Sequence, residues 1–444
     1  MKFYNREQEL ELLAHTRDVA FNNHSQMTVL TGRRRIGKTK LILKSCENTP
    51  TVYLFVRRSN EATLCSQFAE TASRSLNTYI PSEITSFVSL FETLMTVGHH
   101  LSFNLIIDEF QEFFYINPSI YSGIQDIWDR YKDTTHVNFI ASGSVYTLMY
   151  RIFMEYKEPL YGRCDSVVKL KPFATAVLKQ ILSDYHPKYT NDDLLALYTL
   201  TGGVPKYIEL LLDKKCFTMQ KMIDAVIQEN SIFLEEGNVL LIQEFGKKYG
   251  NYYAILSAIA SGKNTASEIS ESIGNASVGG LLQRLEEDYE VITKKRPILA
   301  KEATQSVRYE ITDNFLRFWF RYIIKYQDYV QTGLFSKLAE IVKADYPSYS
   351  GLTLERYFRE QLKEKQAYKS VGSWWETSRG KGVEQNEIDI VAISAESPKV
   401  LIAEVKRQRK NFKPELFQQK VEVLRTKLFF KEEIETACLT LEDM

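Results

Sequence analysis

Residues Gly32-Arg33-Arg34-Arg35-Ile36-Gly37-Lys38-Thr39 spell G-x-x-x-x-G-K-T, and the chemistry that this spacing serves is the capture of a polyphosphate. Gly32 and Gly37 permit backbone angles that turn successive N–H groups inward. With Arg33, Arg34, Arg35 and Ile36 between them and Lys38, Thr39 and Lys40 after them, they form an anion nest at the start of a helix. Lys38 is expected to reach the β- and γ-phosphates of a nucleoside triphosphate, in catalysis as in binding, and Thr39 to place its hydroxyl on Mg²⁺. Hydrolysis also needs a carboxylate at the end of a neighbouring buried strand, and the largely apolar run 103–107 ends in Asp108-Glu109. Asp108 is expected to hold the Mg²⁺ shell, and Glu109 to orient or deprotonate the attacking water. An acidic pair after a strand also serves as a helix cap; the upstream loop favours the metal and base roles.

A second constellation lies near the carboxyl end. Glu355 falls early on a helix read from residue 352, Asp389 on a strand at 387–393, and Glu404 and Lys406, two apart and so on one face, on a strand at 400–406. If the two strands pair, Asp389 and Glu404 chelate a divalent metal with Glu355 as a helix-borne ligand, and Lys406 steers water or stabilises phosphorane charge. That is the composition of metal-dependent phosphodiester hydrolysis. The basic run Lys406-Arg407-Gln408-Arg409-Lys410 with Lys413 offers local phosphate contacts. The same residues also read as a solvated E-x-K face and a satisfied structural acid, and both readings stay open.

Elements must position these groups. Asn5 reads as the cap of a helix through Leu13, with Leu10, Leu12 and Leu13 on its apolar side. Strands at 27–31, 51–56, 103–108 and 136–141 alternate with helices at 40–44, 64–76, 87–97 and 120–131. Such alternation specifies a parallel, helix-covered sheet with its site at the carboxyl ends of the strands, where Thr31, Asp108 and Ser142 converge. Beyond residue 170 helical periodicity takes over, broken by Gly202-Gly203-Val204-Pro205, and reads as a helical lid. Three helices between 251 and 288 and two short strands at 291–293 and 307–311 read as a winged helix-turn-helix. Its third helix is more acidic than basic, which favours a structural or protein-contact role over tight DNA binding. The aromatic segment 314–329 reads as a packing helix rather than a base-stacking platform, and 347–351 as a boundary. The expected organisation is an α/β chain: a P-loop NTPase parallel sheet (1–170), a helical lid (171–245), a winged helix (246–312), an aromatic helical linker (313–350) and a restriction-endonuclease-like α/β domain (351–444).

At 444 residues the chain exceeds one typical core. Its 56 basic and 56 acidic residues balance, so any nucleic-acid or membrane-binding surface must be local. Five scattered cysteines without C-x-x-C spacing exclude a zinc ribbon and fit a reducing compartment, hence an expected cytoplasmic location. No stretch approaches the ~20 apolar residues of a membrane span.

Taken together, these residues resemble the archaeal-type P-loop ATPases, a branch near the AAA+ and STAND groups. The resemblance implies ATP and Mg²⁺ as ligands. Phe3-Tyr4-Asn5-Arg6-Glu7-Gln8-Glu9-Leu10 resembles the family's N-terminal box, implying a place beside the adenine, and Ser142-Gly143-Ser144 is similar to its sensor 1. Leu160-Tyr161-Gly162-Arg163 resembles a segment whose arginine approaches the γ-phosphate. Gly202-Gly203-Val204-Pro205 resembles a lid motif that contacts nucleotide, with Pro205 in that role. The part from Leu354-Glu355 through Trp374-Trp375 to Glu404-Val405-Lys406 resembles a frequent C-terminal domain similar to the PD-(D/E)XK nucleases, although Ile388 stands where a proline usually precedes the first strand acid. Three functions follow as expectations: an ATP-hydrolysing regulatory switch, a metal-dependent nuclease acting on DNA or other nucleic acid and controlled by ATP, or a non-catalytic ATP-binding protein that docks a protein partner through the winged helix. If Arg163 acts on a neighbour's nucleotide, a ring or dimer follows; if within its own chain, a monomer suffices.

Overall fold

The computed structural model describes residues 1–246, 249–304, 306–376 and 386–444; small parts of the expected winged-helix and nuclease-like ranges, at 247–248, 305 and 377–385, lie outside the described residues. The chain forms two compact units, Asn5–Lys171 and Met1–Tyr4 with Pro172–Met444.

The first unit is built on five parallel strands, β1 (Gln26–Thr31), β2 (Thr51–Phe55), β3 (Phe103–Asp108), β4 (Val137–Gly143) and β5 (Ser166–Lys169), in the order β2-β3-β4-β1-β5. Every residue of β1, β3 and β4 is buried. Helices on both faces of a parallel sheet demand that, and it explains why these strands read as near-continuous apolar runs. The N-terminal helix differs from expectation. It spans Glu7–Asn22, Arg6 rather than Asn5 occupies the cap with no side-chain hydrogen bond, and Leu12 is exposed. Asn5 and Arg6 both have positive φ, and the Arg6 guanidinium bonds the Lys171 carbonyl at 2.6 Å and Glu9 at 3.0 Å, so the turn is held from elsewhere in the unit rather than by an Asx cap.

In the second unit, five helices from Thr175–Tyr185 to Ile232–Phe245 precede helices Gly250–Ala260, Ala266–Ser272 and Gly279–Glu287 and the antiparallel ribbon β6 (Ile292–Lys295) and β7 (Arg308–Ile311), the element order read for a winged helix. Gly202 ends one helix in the left-handed region and Pro205 opens the next, so the Gly-Gly-Val-Pro break is real. The aromatic segment packs: Trp319 is fully buried, and its indole N–H donates to the Leu234 carbonyl at 2.8 Å.

The boundary expected at 347–351 is absent. One helix, Phe335–Glu364, runs through Pro347. A proline inside a helix costs about 3 kcal/mol, but Pro347 is exposed, while Leu338, Val342, Tyr346, Ser350, Leu354, Tyr357 and Phe358 keep one buried stripe on both sides of it. At roughly 1.5–3 kcal/mol per large apolar side chain that stripe outweighs the lost hydrogen bond. The helix leads into β8 (Tyr368–Trp375), β9 (Glu387–Ser394) and β10 (Lys399–Val405), an antiparallel meander, then helix Pro414–Leu428 and β11 (Glu433–Leu439), which returns parallel to β10.

Candidate functional site: the phosphate loop and its facing carboxylates

The loop between β1 and helix Lys38–Ser45 has the strained backbone that its glycines permit. Gly32 lies at φ 152° and Gly37 at φ 92°, with Arg35 also positive at 68°. A Cβ at Gly32 would press on the Leu170 carbonyl and the Ile36 side chain at 3.0–3.1 Å, so the first glycine is fixed by close approach as much as by torsion. The helix starts at Lys38 with Gly37 as a cap that contributes no side-chain oxygen, leaving an anion to complete the first turn. Lys38 is buried, and its ammonium donates to the carbonyls of Gly32 (2.8 Å) and Arg33 (3.3 Å), which places it across the mouth of the loop.

Asp108, at the buried end of β3, faces that helix. One carboxylate oxygen accepts the Thr39 hydroxyl at 2.9 Å and the Tyr53 hydroxyl at 2.6 Å; the other accepts the Glu109 N–H at 3.1 Å. Burial and the bond to Asp108 push the Tyr53 phenol well above its ordinary range, so it remains a proton donor to the carboxylate. Glu109 occupies a left-handed backbone position, φ 55°, an arrangement that costs roughly 1–3 kcal/mol and gathers at functional sites. Its carboxylate accepts from Gln111 Nε2 at 2.5 Å and from Ser144 Oγ at 2.7 Å. Ser142 pairs in register with Asp108 on β3 and with Leu30 on β1, and its buried Oγ has no hydrogen-bond partner among the described residues. A hydroxyl–carboxylate pair beside the loop, with an unsatisfied hydroxyl in the next strand, is a donor set that fits a Mg²⁺-bound triphosphate.

Lys38, Thr39, Asp108, Glu109 and Ser142 thus share one end of the sheet. Tyr53 and Gln111 join them without having been singled out, and Ser144, part of the segment similar to sensor 1, joins as a donor to Glu109. Arg163 does not. It precedes β5, whose start pairs with the start of β1: Asp165 exchanges backbone and side-chain bonds with Met27. The phosphate loop leaves the other end of β1, roughly 13 Å of strand away. There Arg163 is bound to Asp129, at 3.0 Å, and to the Tyr161 carbonyl at 2.9 Å. An in-chain catalytic role for Arg163 is therefore corrected: the connectivity puts it at the opposite edge. Pro205 belongs to the second unit, where the Gly203 carbonyl accepts the Phe173 N–H at 2.8 Å.

The terminal constellation is only partly assembled. Asp389 accepts the Val405 N–H at 2.7 Å, and Lys406 reaches Glu404 at 2.9 Å and Asp389 at 3.8 Å, while Lys420 also approaches Glu404. Arg359 approaches Glu355 at 3.4 Å and bonds the Asp389 carbonyl at 2.9 Å. Burial, and then Asp389, push the Glu355 carboxyl up to about 7; burial and Glu404 raise Asp389 as well. Lys406 is held above its ordinary value by Glu404 and Asp389 although burial opposes its charge. Among the described residues no group of three or more His, Cys, Asp or Glu side chains is placed to hold a metal ion. In this arrangement lysine and arginine side chains and a backbone N–H occupy the carboxylates of Glu355, Asp389 and Glu404. The basic run is likewise committed in part, with Arg407 on Asp192 (2.8 Å) and Arg409 on Asp443 (3.5 Å).

Residues 3–211 match a family described as an ATPase domain predominantly from Archaea, and residues 319–417 a family of archaeal and bacterial proteins of unknown function. The chain is 32% identical over 414 residues to the uncharacterized protein MJECL04 of Methanocaldococcus jannaschii, covering 91% of this chain and 87% of that one. Among solved structures it is similar to the Walker-type ATPase PABY2304 of Pyrococcus abyssi (TM-score 0.54, 18% identity, 72% of this chain and 96% of that one). It is also similar to the ORC2 protein of Aeropyrum pernix (TM-score 0.51, 13% identity, 77% and 96%). At those identities the structures show the fold, a P-loop NTPase sheet. No described helix is long and apolar enough to cross a membrane. A phosphate loop faced by Asp108 and Glu109, on this sheet and in this sequence family, makes the chain a member of the archaeal-type P-loop ATPases, binding ATP and hydrolysing it.

Proposed function

We propose that this ATPase is a regulatory switch, in which the nucleotide state of the first unit controls the winged-helix and terminal regions of the second. The observation that carries the reading is the Glu109 carboxylate, pinned by Gln111 and Ser144 one residue beyond the Asp108–Thr39 pair. Lys38 and the loop amides bind and orient the β- and γ-phosphates; Thr39 and Asp108 would hold Mg²⁺, which neutralises phosphate charge when bound. Both donors bond Glu109 Oε2 and hold the side chain in place, so moving it over the attacking water, with Oε1 as the acceptor, means rearranging the Ser144 and Gln111 contacts, and turnover is slow until that happens. A ligand moves such an equilibrium only by its differential affinity for the two states. Arg163, at the far edge of the sheet, meets a γ-phosphate only if a neighbouring chain presents one, which ties any contribution of it to self-association.

The test is ATP hydrolysis measured across protein concentration, with and without nucleic acid, beside Lys38→Ala. The expected result is slow wild-type turnover, none in Lys38→Ala, and specific activity that rises with concentration and loses that rise in Arg163→Ala. Turnover indifferent to concentration and to Arg163 removes the assembly part of the reading, and ATP binding by Lys38→Ala equal to wild type removes the loop part. Beyond the exposed Gly279 and Gly280, the exposed side chains of helix Gly279–Glu287 are Gln283, Arg284 and Glu287, whose mixed charge supports protein docking over DNA. A nuclease reading of the terminal sheet rests on the buried Glu404 Oε2, unpartnered among the described residues, beside Asp389. Equal cleavage of DNA and RNA by wild type and Asp389→Ala in Mg²⁺ or Mn²⁺ ends it.

A further inference from the structure

The second unit contains a cavity of about 290 Å³ between the β6–β7 ribbon, the aromatic segment, helix Phe335–Glu364 and the edges of β8 and β9. Its lining is dominated by cations: Lys295, Arg308, Arg317, Arg321, Arg356 and Arg359, against the carboxylates of Glu310, Glu355 and Glu387. The carboxylates are already engaged. Glu310 takes Lys295 at 2.5 Å and Arg356 at 2.9 Å, Glu387 takes Arg308 at 2.6 Å, and Glu355 faces Arg359 at 3.4 Å. Arg321 pairs with Asp345, which is outside the lining, at 3.1 Å.

Arg317 is in no ion pair among the described residues. Its Nη1 is shut off from solvent without a hydrogen-bond partner, and its guanidinium lies 5.9 Å from the ring of Tyr349, whose own buried hydroxyl also lacks a partner. A guanidinium does not shed its proton inside a protein, so this burial is not relieved by neutralisation. Arg317 is half-buried, but a guanidinium edge shut off from water without a counter-charge is unfavourable, and the unpartnered Tyr349 hydroxyl adds to the penalty. The excess of positive charge is felt by Lys295, whose ammonium is pushed down to about 8 by burial and by Arg359 despite its bond to Glu310. What the cavity lacks is an anion with several acceptor oxygens.

We propose that this cavity is a binding site for a phosphate group carried by a small molecule, with Arg317 as the charged fork, Tyr349 as an added donor and Arg321 and Arg356 at its flanks. Phosphate matches the donors better than a carboxylate does, because it offers at least three acceptor oxygens and up to two charges where arginine forks converge. The volume lies at the lower end of the range of small-ligand pockets, roughly 300–1,000 Å³, and excludes a duplex. Every residue of the site belongs to the second unit, so it is separate from the phosphate loop and does not depend on the switch reading.

The experiment uses the full chain carrying Lys38→Ala, which takes the phosphate loop out of the measurement, titrated calorimetrically with inorganic phosphate and, in parallel, with an oligonucleotide with and without a 5′-phosphate. The expected result is one saturable phosphate site that Arg317→Met weakens by about tenfold or more. In melting experiments phosphate raises the transition of the parent but not of Arg317→Met, whereas without phosphate Arg317→Met melts at or above the parent, because an uncompensated buried cation has been removed. No saturable phosphate heat overturns the proposal, as does a folded Arg317→Met that binds phosphate as tightly as its parent, or an equal response to chloride at matched ionic strength. Binding seen only with the 5′-phosphorylated strand overturns the small-molecule assignment. Should Arg317→Met fail to fold, Arg321→Gln is read instead, with a smaller loss expected and unchanged affinity counting against the site.

Discussion

Glu109→Gln separates binding from chemistry at the phosphate loop. The substitution keeps side-chain length and removes one charge. The carboxylate it replaces contacts Gln111 and Ser144 and takes no part in the Lys38–Gly32 or Thr39–Asp108 bonds, so the affinity for Mg-ATP should be unchanged. Turnover should not survive. A positioned general base contributes about 10²- to 10⁴-fold, equivalent to roughly 3–5 kcal/mol in the barrier. Ser144→Ala, by contrast, leaves the base in place and removes one charge-assisted hydrogen bond, an interaction of about 1.5–3 kcal/mol. If that bond restrains Glu109, single-turnover phosphate release accelerates in Ser144→Ala while it collapses in Glu109→Gln. The assay is rapid-quench phosphate release at saturating Mg-ATP, with affinity measured separately by calorimetry. Release by Glu109→Gln within about tenfold of wild type, with binding intact, would falsify the assignment of the base.

Tyr53→Phe removes one of two hydroxyls on the same Asp108 oxygen; turnover should fall roughly tenfold and the Mg²⁺ concentration for half-maximal rate should shift, and an unaltered Mg²⁺ dependence counts against a positioning role. Gly203→Ala places a Cβ 2.5 Å from the Phe173 carbonyl at φ 79°, so melting of the second unit should drop by an amount corresponding to about 1–3 kcal/mol, and an unchanged transition refutes the close-approach argument. Glu355 has a folded-state carboxyl raised to about 7 from 4.5, so the folded chain binds the extra proton: stability is greatest below about 4.5 and declines as pH rises towards 7, by roughly 3 kcal/mol at most. Glu355→Gln should flatten that slope in thermal melts across the same window; an undiminished slope assigns it to other groups.

Where local pattern and tertiary environment agree, the residues alone were enough. The apolar runs of β1, β3 and β4 are strands because both faces are covered, and the loop glycines mark torsions that few other residues adopt. β5 was not legible: four residues with Val168 alone buried carry no usable periodicity, and the strand exists because β1 offers an edge. Tyr53 and Gln111 escaped notice because their value lies in hydrogen bonds to the carboxylates of Asp108 and Glu109, which no periodicity marks. Arg163 shows the reverse error. A short motif resemblance named a role, but the position of its strand in the sheet order decides which end of the molecule the side chain occupies. The pairing of β9 with β10 brings Asp389 beside Glu404, and Lys406 was named with them; Arg359, one helical turn beyond Glu355, and Lys420, from a separate helix, were not.

The uninterrupted helix Phe335–Glu364 makes the latter part of the protein indivisible. Its earlier turns bury Leu338, Val342 and Tyr346, and its later turns bury Leu354, Tyr357 and Phe358, so a cut at residue 350 divides the helix's buried stripe between two fragments. The sheet of β8–β11 is consequently not a cassette that can be excised or swapped at a hinge.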